Sequence, residues 1–279
     1  MYPNYEIILV SNGAKSPIHR TALQGITDRI STIINNSENV GYARANNLGI
    51  TEALKGQADY ILLLNDDTVV SPDFLDILVR IGEESADVGM LGPAIFYFDD
   101  PDNIWFTGAQ YDVETCMVST DGFDRIQQRK DLQLIQSDYI TGCALLVKRK
   151  VWEKIGLLDE RFFLYWEDVD LGIRAKTAGF RIMLVPSARI WHKVSVSSGG
   201  PDSPLKAYHK TRSHLQMAKL HTPWALNRLQ RIFLRDIAWL LMKSSDKNRI
   251  RKARAYVAAI KDYHLGKTGS GPRWLWKHR

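Results

Sequence analysis

The segment 58–70, ADYILLLNDDTVV, constrains the fold more than any other part of the chain. Five apolar or aromatic residues, Tyr60 to Leu64, end abruptly in Asn65-Asp66-Asp67-Thr68. A short continuous apolar run reads as a strand covered on both faces, the kind found in parallel sheets flanked by helices. Adjacent acids at its end put carboxylates at the carboxyl end of that sheet, where α/β proteins form ligand sites. Clustered hard oxygen donors there suit Mg2+ or Mn2+, and such a cation holds a diphosphate. The competing reading makes these acids a cap for SPDFLDILVRI, but Ser71-Pro72 already supply that helix start.

The neighbouring segments extend the pattern. YEIILV, followed by the turn SNG, reads as a second buried strand; residues 17–30 look helical, and STIINN is a further short strand. In NVGYARANNLGITEAL, Gly41 and paired asparagines lead into a helical pattern, as where a loop feeds a helix N-terminus beside a ligand. An ordinary loop and N-cap would read the same way. Phe74, Ile77, Leu78 and Ile81 mark an amphipathic helix over 71–85, and GMLGPAIFYF another strand. Residues 99–135 are polar and aperiodic, the character of a variable loop on an acceptor side. YITGCALLVKRKVWEKIG gives a turn, a strand and a helix start, and FRIMLVPSARIWHK a strand bearing His192.

A second concentration of acids lies in FFLYWEDVDLGIRAKTAGF, where an aromatic run delivers Glu167 and Asp168 to a helix start. Asp170 and Arg174 are spaced as an i,i+4 ion pair, Val169 and Ile173 supply the apolar side, and Gly179 a stop. Acids in a first turn are favoured by the helix dipole, so capping alone would account for them. Their company with the Asn65-Asp66-Asp67 run makes a catalytic pair the stronger reading.

Composition excludes several classes. Only two cysteines occur, Cys116 and Cys143, so neither a disulfide framework nor a zinc–cysteine site is expected, and both read as small buried residues. The most apolar helix-like stretch, IFLRDIAWLLM, is interrupted by Arg235 and Asp236 and is too short to span a bilayer. The charge is uneven: residues 206–279 hold 18 Lys and Arg against 3 Asp and Glu, while 1–205 hold 19 against 28. A domain of 1–205 with a basic helical extension of 206–279 is therefore expected. In the extension, Leu226, Leu229, Phe233, Ile237 and Leu240 share one stripe and Arg228, Arg231 and Arg235 another, a basic amphipathic helix. It either packs on the body or lies on an anionic membrane surface. The acidic body argues against a nucleic-acid partner.

In order, YPNYEIILVSNG, ENVGYARANNLGI, LLLNDDT, the segment from ITGCALL to KTAGF, and IWH resemble family-2 glycosyltransferases, most closely the rhamnosyltransferase-like bacterial branch. The likeness runs from residue 2 to about 215, where YHKTRS is similar to a segment common after the core. It implies an α/β GT-A fold with a mostly parallel central sheet, a nucleotide-diphosphate sugar donor, Mn2+ or Mg2+, and inverting single displacement onto a glycan or lipid-linked acceptor of cell-surface polysaccharide. With the basic helices of 206–279, a cytoplasmic enzyme that can sit peripherally on the inner membrane face is expected. By position, Asp67 matches the metal ligand of the family's D-x-D element, with Asp66 beside it and Asn65 in place of the first aspartate, toward the donor sugar or ribose. His192 matches a histidine completing the metal site in some relatives. Asp168 matches the general base, and Glu167 would orient it or the acceptor. Thr141-Gly142 would lie along the donor sugar, and Asn39, Arg44 and Asn46 at the nucleotide or its phosphates.

Two departures stand out. Ser11, next to Asn12, occupies the turn position where the family has a base-contacting aspartate. The resemblance also begins after the family's first strand and helix, so an interior strand beside the nucleotide pocket is expected to be missing. Two other readings follow: a truncated, non-catalytic relative that binds glycan, protein or membrane, and a nucleotidyltransferase, which shares a nucleotide, Mg2+ and an α/β sheet. The sequence leaves the oligomeric state open.

Overall fold

In the computed structural model, which describes residues 2–19, 21, 23, 27–120, 134–194 and 203–276, the first two strands form a sheet of their own. β1 (Ile7–Asn12) and β2 (Ile30–Asn36) pair in parallel, Val10 opposite Ile34. The expected helix over 17–30 is not found among the described residues; only a 3-10 turn at Thr27–Arg29 is helical beyond an isolated residue at 21. Ile18 is instead tied to β2, its amide donating to Asn35 Oδ1 at 2.9 Å. Helix α1 (Tyr42–Lys55) follows, led in by Gly41 at φ +90. It packs on β1 and β2 and also on β3 (Tyr60–Leu64), and so bridges to the main sheet. A side chain at Gly49 would meet Val10 Cγ2 at 3.1 Å, which shows how closely α1 lies on β1.

The main sheet continues with β4 (Thr68–Val70), α2 (Phe74–Glu83) and the long buried β5 (Val88–Tyr97). Short strands β6 (Ile104–Phe106), β7 (Gln110–Asp112), β8 (Met117–Ser119) and β9 (Ile135–Gln136) occupy the described parts of the 99–135 region. Then come β10 (Ala144–Lys148), α3 (Arg149–Ile155), α4 (Glu167–Thr177) and β11 (Arg181–His192). The strand order is β3-β10-β5-β11-β4. This sheet is mixed rather than mostly parallel. β10 runs antiparallel to both β3 and β5, and β4 antiparallel to β11, while β5 and β11 are parallel. β10, apolar from Ala144 to Val147 and buried at every residue including Lys148, reads alike in either direction, because burial on both faces removes the alternation that would report its surroundings. Leu78, Met90, Leu91, Ile95, Leu145, Leu146, Leu171 and Ile182 form the core between sheet and helices.

Helices α5 (Pro204–His221), α6 (Leu226–Met242) and α7 (Arg249–His264) close the fold. Ser203 caps α5 through its side chain, and Pro204 occupies the first turn, where its missing N–H costs nothing. The stripe of Leu229 and Phe233 faces inward, into a buried cluster with Phe162 and with Val169 of α4. Tyr208 and Arg212 of the YHKTRS segment bind α5 to α7: Tyr208 Oη donates to Asp262 Oδ2 at 2.8 Å, and Arg212 donates to Tyr208 Oη at 2.9 Å. Among the described residues, no helix is long and apolar enough to cross a membrane.

Candidate active site

β3, β5 and β11 all point their carboxyl ends the same way, and the Asn65-Asp66-Asp67 turn runs across that end of the sheet. On one side Asn65 N–H bonds Cys143 O at 2.9 Å; on the other Lys193 N–H bonds Asp67 O at 2.9 Å. Thr68 Oγ1 closes the turn onto Asn65 O at 2.7 Å. The turn therefore joins the start of β10 to the end of β11. There His192 is buried, with Nε2 3.0 Å from Asp67 Oδ1 and its ring edge-on to Trp105. Neither ring nitrogen of His192 makes a hydrogen bond among the described residues. A nitrogen and an oxygen donor this far apart match adjacent ligands of an octahedral cation bound at about 2.1 Å. Among the described residues no group of three or more His, Cys, Asp or Glu could hold a metal ion. A cation here would take its other ligands from water and phosphate, as Mg2+ commonly does.

The acid pair arrives from the opposite direction, on the first turn of α4. Asp168 accepts hydrogen bonds from Gly142 N–H at 3.2 Å and from Val169 N–H at 2.9 Å, with the Thr141 hydroxyl also in contact. Burial raises the Asp168 pKa, while these donors, which favour the carboxylate, pull the other way. Glu167 is more deeply enclosed, 5% exposed, with Oε2 unpartnered among the described residues. Burial first, and then the adjacent Asp168, holds its carboxyl well above the usual range. The two acids thus differ in their surroundings: Asp168 is partly exposed and held by hydrogen-bond donors, while Glu167 is buried with an unpartnered oxygen among the described residues.

Residues beyond the expected set hold this pair in place. Tyr42, at the start of α1, donates its hydroxyl to Gly142 O at 2.5 Å and its backbone N–H to Phe163 O at 2.7 Å. One residue thus ties α1 to both the Thr141-Gly142 turn and the approach to α4. Gly41 and Gly142 must lack side chains, since a Cβ would lie 2.5 Å from Phe163 O or from Tyr42 Oη respectively. Immediately before Glu167, Tyr165 and Trp166 adopt φ +68 and +76, a costly conformation for aromatic residues. Helix α5 braces that kink: Ser213 Oγ donates to Leu164 O at 2.9 Å, and His214 stacks on Trp166 with ring centroids 4.0 Å apart. Burial pushes His214 down to about 4, so it is neutral at pH 7. Asp170 and Arg174 form the expected pair at 2.8 Å, joined by His221 of α5 at 2.7 Å from Asp170. Nothing in the sequence marked Tyr42 or His221 as part of this site.

The remaining candidates gather at the end of β1. Asn12 Nδ2 donates to Asn39 Oδ1 and to Gly41 O, and Asn12 Oδ1 accepts from Val40 N–H at 2.9 Å. These bonds fold the 39–41 loop over the strand end. Ser11 is buried in β1 opposite Asn35. Asn46 is turned back onto Tyr42 O within α1, and Arg44, on the exposed side, lies 3.8 Å from Glu160. Asn47 carries the buried contacts instead, exchanging hydrogen bonds with Leu158 N–H and O. Cys116 and Cys143 are free and buried.

Comparison with known proteins identifies the family and the fold. The sequence model described as "Glycosyltransferase like family 2" matches residues 1–224. The N-acetylglucosaminyl-diphospho-decaprenol L-rhamnosyltransferase of Mycobacterium tuberculosis is 28% identical over 242 residues, covering 78% of this chain and 76% of that protein. The dTDP-rhamnosyl transferase RfbF of Shigella flexneri is 25% identical, covering 84% and 78% respectively. Among solved structures, GalNAc-T7 with UDP, GalNAc and Mn2+ superposes with a TM-score of 0.57 over 98% of this chain and 50% of that one, at 14% identity. With the GT-A fold in place and the family matched across sheet, acidic turn and acid-bearing helix, the chain belongs to glycosyltransferase family 2 and is a glycosyltransferase.

Proposed function

We propose that this enzyme transfers a sugar, L-rhamnose as first candidate, from a nucleoside-diphosphate donor to a glycan or lipid-linked acceptor with inversion. The observation that carries the reading is Asp168. Its carboxylate is fixed by two backbone N–H groups beside the Gly142 turn, and that turn adjoins Asn65 through Cys143. The names of the mycobacterial and Shigella relatives support a rhamnosyl donor, and the first also supports a polyprenyl-diphosphate-linked acceptor.

Asp168 removes the proton of the acceptor hydroxyl as that oxygen bonds to the anomeric carbon. The bond from that carbon to the diphosphate oxygen breaks on the opposite face, and its electron pair leaves with the nucleoside diphosphate. Mn2+ or Mg2+ bound by Asp67 and His192 would neutralise charge on the diphosphate. Glu167 is buried, and burial together with the adjacent Asp168 favours its protonated form, which leaves the hydrogen-bonded Asp168 as the base. Asn65, Asp66, Thr141 and Gly142 line the donor sugar, while Ser11, Asn12, Asn39, Arg44 and Asn46 frame the nucleotide end.

Asp168→Asn tests this directly. Turnover should fall about 100- to 10,000-fold, the usual worth of a general base. Nucleotide affinity should stay near wild type, since the change leaves Asp67 and His192 intact. Near-normal transfer by this variant would remove Asp168 from the mechanism.

A further inference from the structure

The apolar stripe of α6 is taken up by the core: Leu229, Phe233 and Leu240 are buried. Yet the same helical hairpin keeps a second set of large apolar side chains outside. Leu234 (59% exposed) lies midway along α6, Trp239 (55%), Leu241 (51%) and Met242 (74%) lie at its end, and Ile250 (68%) lies in the first turn of α7. Single exposed apolar residues are ordinary, but five within residues 234–250 of one corner form a patch that folding has left unpartnered. Around them Arg231, Arg235, Lys243, Lys247 and Arg249 are exposed. The acids of this stretch are Asp236 and Asp246, and Asp246 is already paired with Lys252.

We infer that this corner seats on an anionic lipid surface. Trp239, Leu241, Met242 and Ile250 enter the boundary between headgroups and acyl chains, and the surrounding Arg and Lys meet lipid phosphates. The combination selects the partner. A second copy of the chain, joined about a two-fold axis, would set this basic ring against itself. A nucleic acid would use the cations but leave the apolar side chains in water, and residues 1–205 are net acidic. The inference extends the proposed lipid-linked acceptor, on which it rests, by saying which face the enzyme turns to the bilayer. α5 connects that face to the site, since it contacts both the α6–α7 hairpin and the Leu164–Trp166 kink.

The test is co-sedimentation of the full chain with vesicles of phosphatidylcholine alone or mixed with phosphatidylglycerol, at low and high salt. Two variants are compared, Trp239→Ser/Leu241→Ser/Met242→Ser and Arg231→Glu/Arg235→Glu, with melting and nucleotide binding measured on the same samples. Wild type should sediment with the anionic vesicles at low salt and be released at high salt. The triple serine variant should bind at least about tenfold more weakly, and the charge-reversed one similarly, both with unchanged melting and nucleotide affinity. Failure of wild type to bind anionic vesicles at low salt, or equal binding by the serine variant, overturns the inference. Self-association of wild type that the serine changes abolish, without vesicle binding, would assign the patch to a second copy and also overturn it. Nucleotide binding is read independently, so loss of the membrane inference leaves the catalytic reading standing and the reverse.

Discussion

Gly142→Ala is the sharpest probe of how the site is assembled. The added Cβ would stand 2.5 Å from Tyr42 Oη, 2.8 Å from Cζ and 3.0 Å from Cε1. Tyr42 cannot simply retreat, because its own amide is bonded to Phe163 O at 2.7 Å. Overpacking of this kind costs about 1–3 kcal/mol. Loss of the bond from Tyr42 Oη to Gly142 O adds about 1 kcal/mol. The sum, about 2–4 kcal/mol, should lower the melting temperature by at least about 4 °C in a chain of this size. Tyr42→Phe alone should cost only the hydrogen bond. In the double variant the nearest clash is gone, so it should melt above Gly142→Ala although it carries one more change. Turnover should drop in the single variant, because the displaced residue 142 N–H is a donor to Asp168. Thermal denaturation of the four proteins is the assay. A Gly142→Ala melting point within about 1 °C of wild type, or strict additivity in the cycle, would refute the claim that Tyr42 is wedged against this turn.

Three further outcomes follow from the charged groups in and around the site. Asp168 must be ionised to act as a base, and burial raises its pKa above 3.8, so kcat/KM should fall as pH drops through that raised value; Asp168→Asn should abolish this acid limb. With both acids of the pair raised, the folded state binds more protons than the unfolded chain above about pH 4, so stability should decline as pH rises through that window, and Glu167→Gln should flatten the decline. Asp170→Ala leaves Arg174 and His221 without their shared, 3%-exposed partner carboxylate. Breaking such a pair costs about 3 kcal/mol, the lower end of the buried range because both partners keep some exposure, and should lower the melting temperature by about 6–12 °C.

Much of the site was readable in the sequence, for reasons that are local. The run at residues 60–64 read as a strand ending in acids and is one, but it lies at the sheet edge with only Ile61 and Leu63 buried and Leu64 exposed, not covered on both faces. The acids at 167 and 168 suited a helix N-terminus. The pair of Asp170 and Arg174 followed from helical spacing alone. What escaped detection depends on distant parts of the chain. The contact of Tyr42 with Gly142 joins residues 100 apart in sequence, and an aromatic residue in the first turn of a helix carries no mark of it. The left-handed backbone at Tyr165 and Trp166 runs against the preference of bulky residues, so it becomes legible only once α5 is seen bracing it. The direction of β10 was hidden by its uniform burial. The stripe of Leu229, Phe233 and Leu240 was legible as an amphipathic face, but periodicity does not say whether such a face meets protein or lipid. Here it meets protein, and the exposed set around Trp239 sits on the other side of the same helix.

The central claim, that Asp67 and His192 anchor a donor diphosphate through a divalent cation, is tested most directly by a thermal-shift titration. The full chain and Asp67→Ala would be heated with UDP, dTDP and GDP, each with and without Mn2+. A nucleotide at about 100 times its dissociation constant adds about 2.7 kcal/mol, readily seen as a rise in melting temperature. The expected result is a shift with one nucleotide that requires Mn2+ and disappears in Asp67→Ala, with dTDP the foremost candidate from the Shigella relative's name. An equal shift with and without Mn2+, or one retained in Asp67→Ala, would contradict the account.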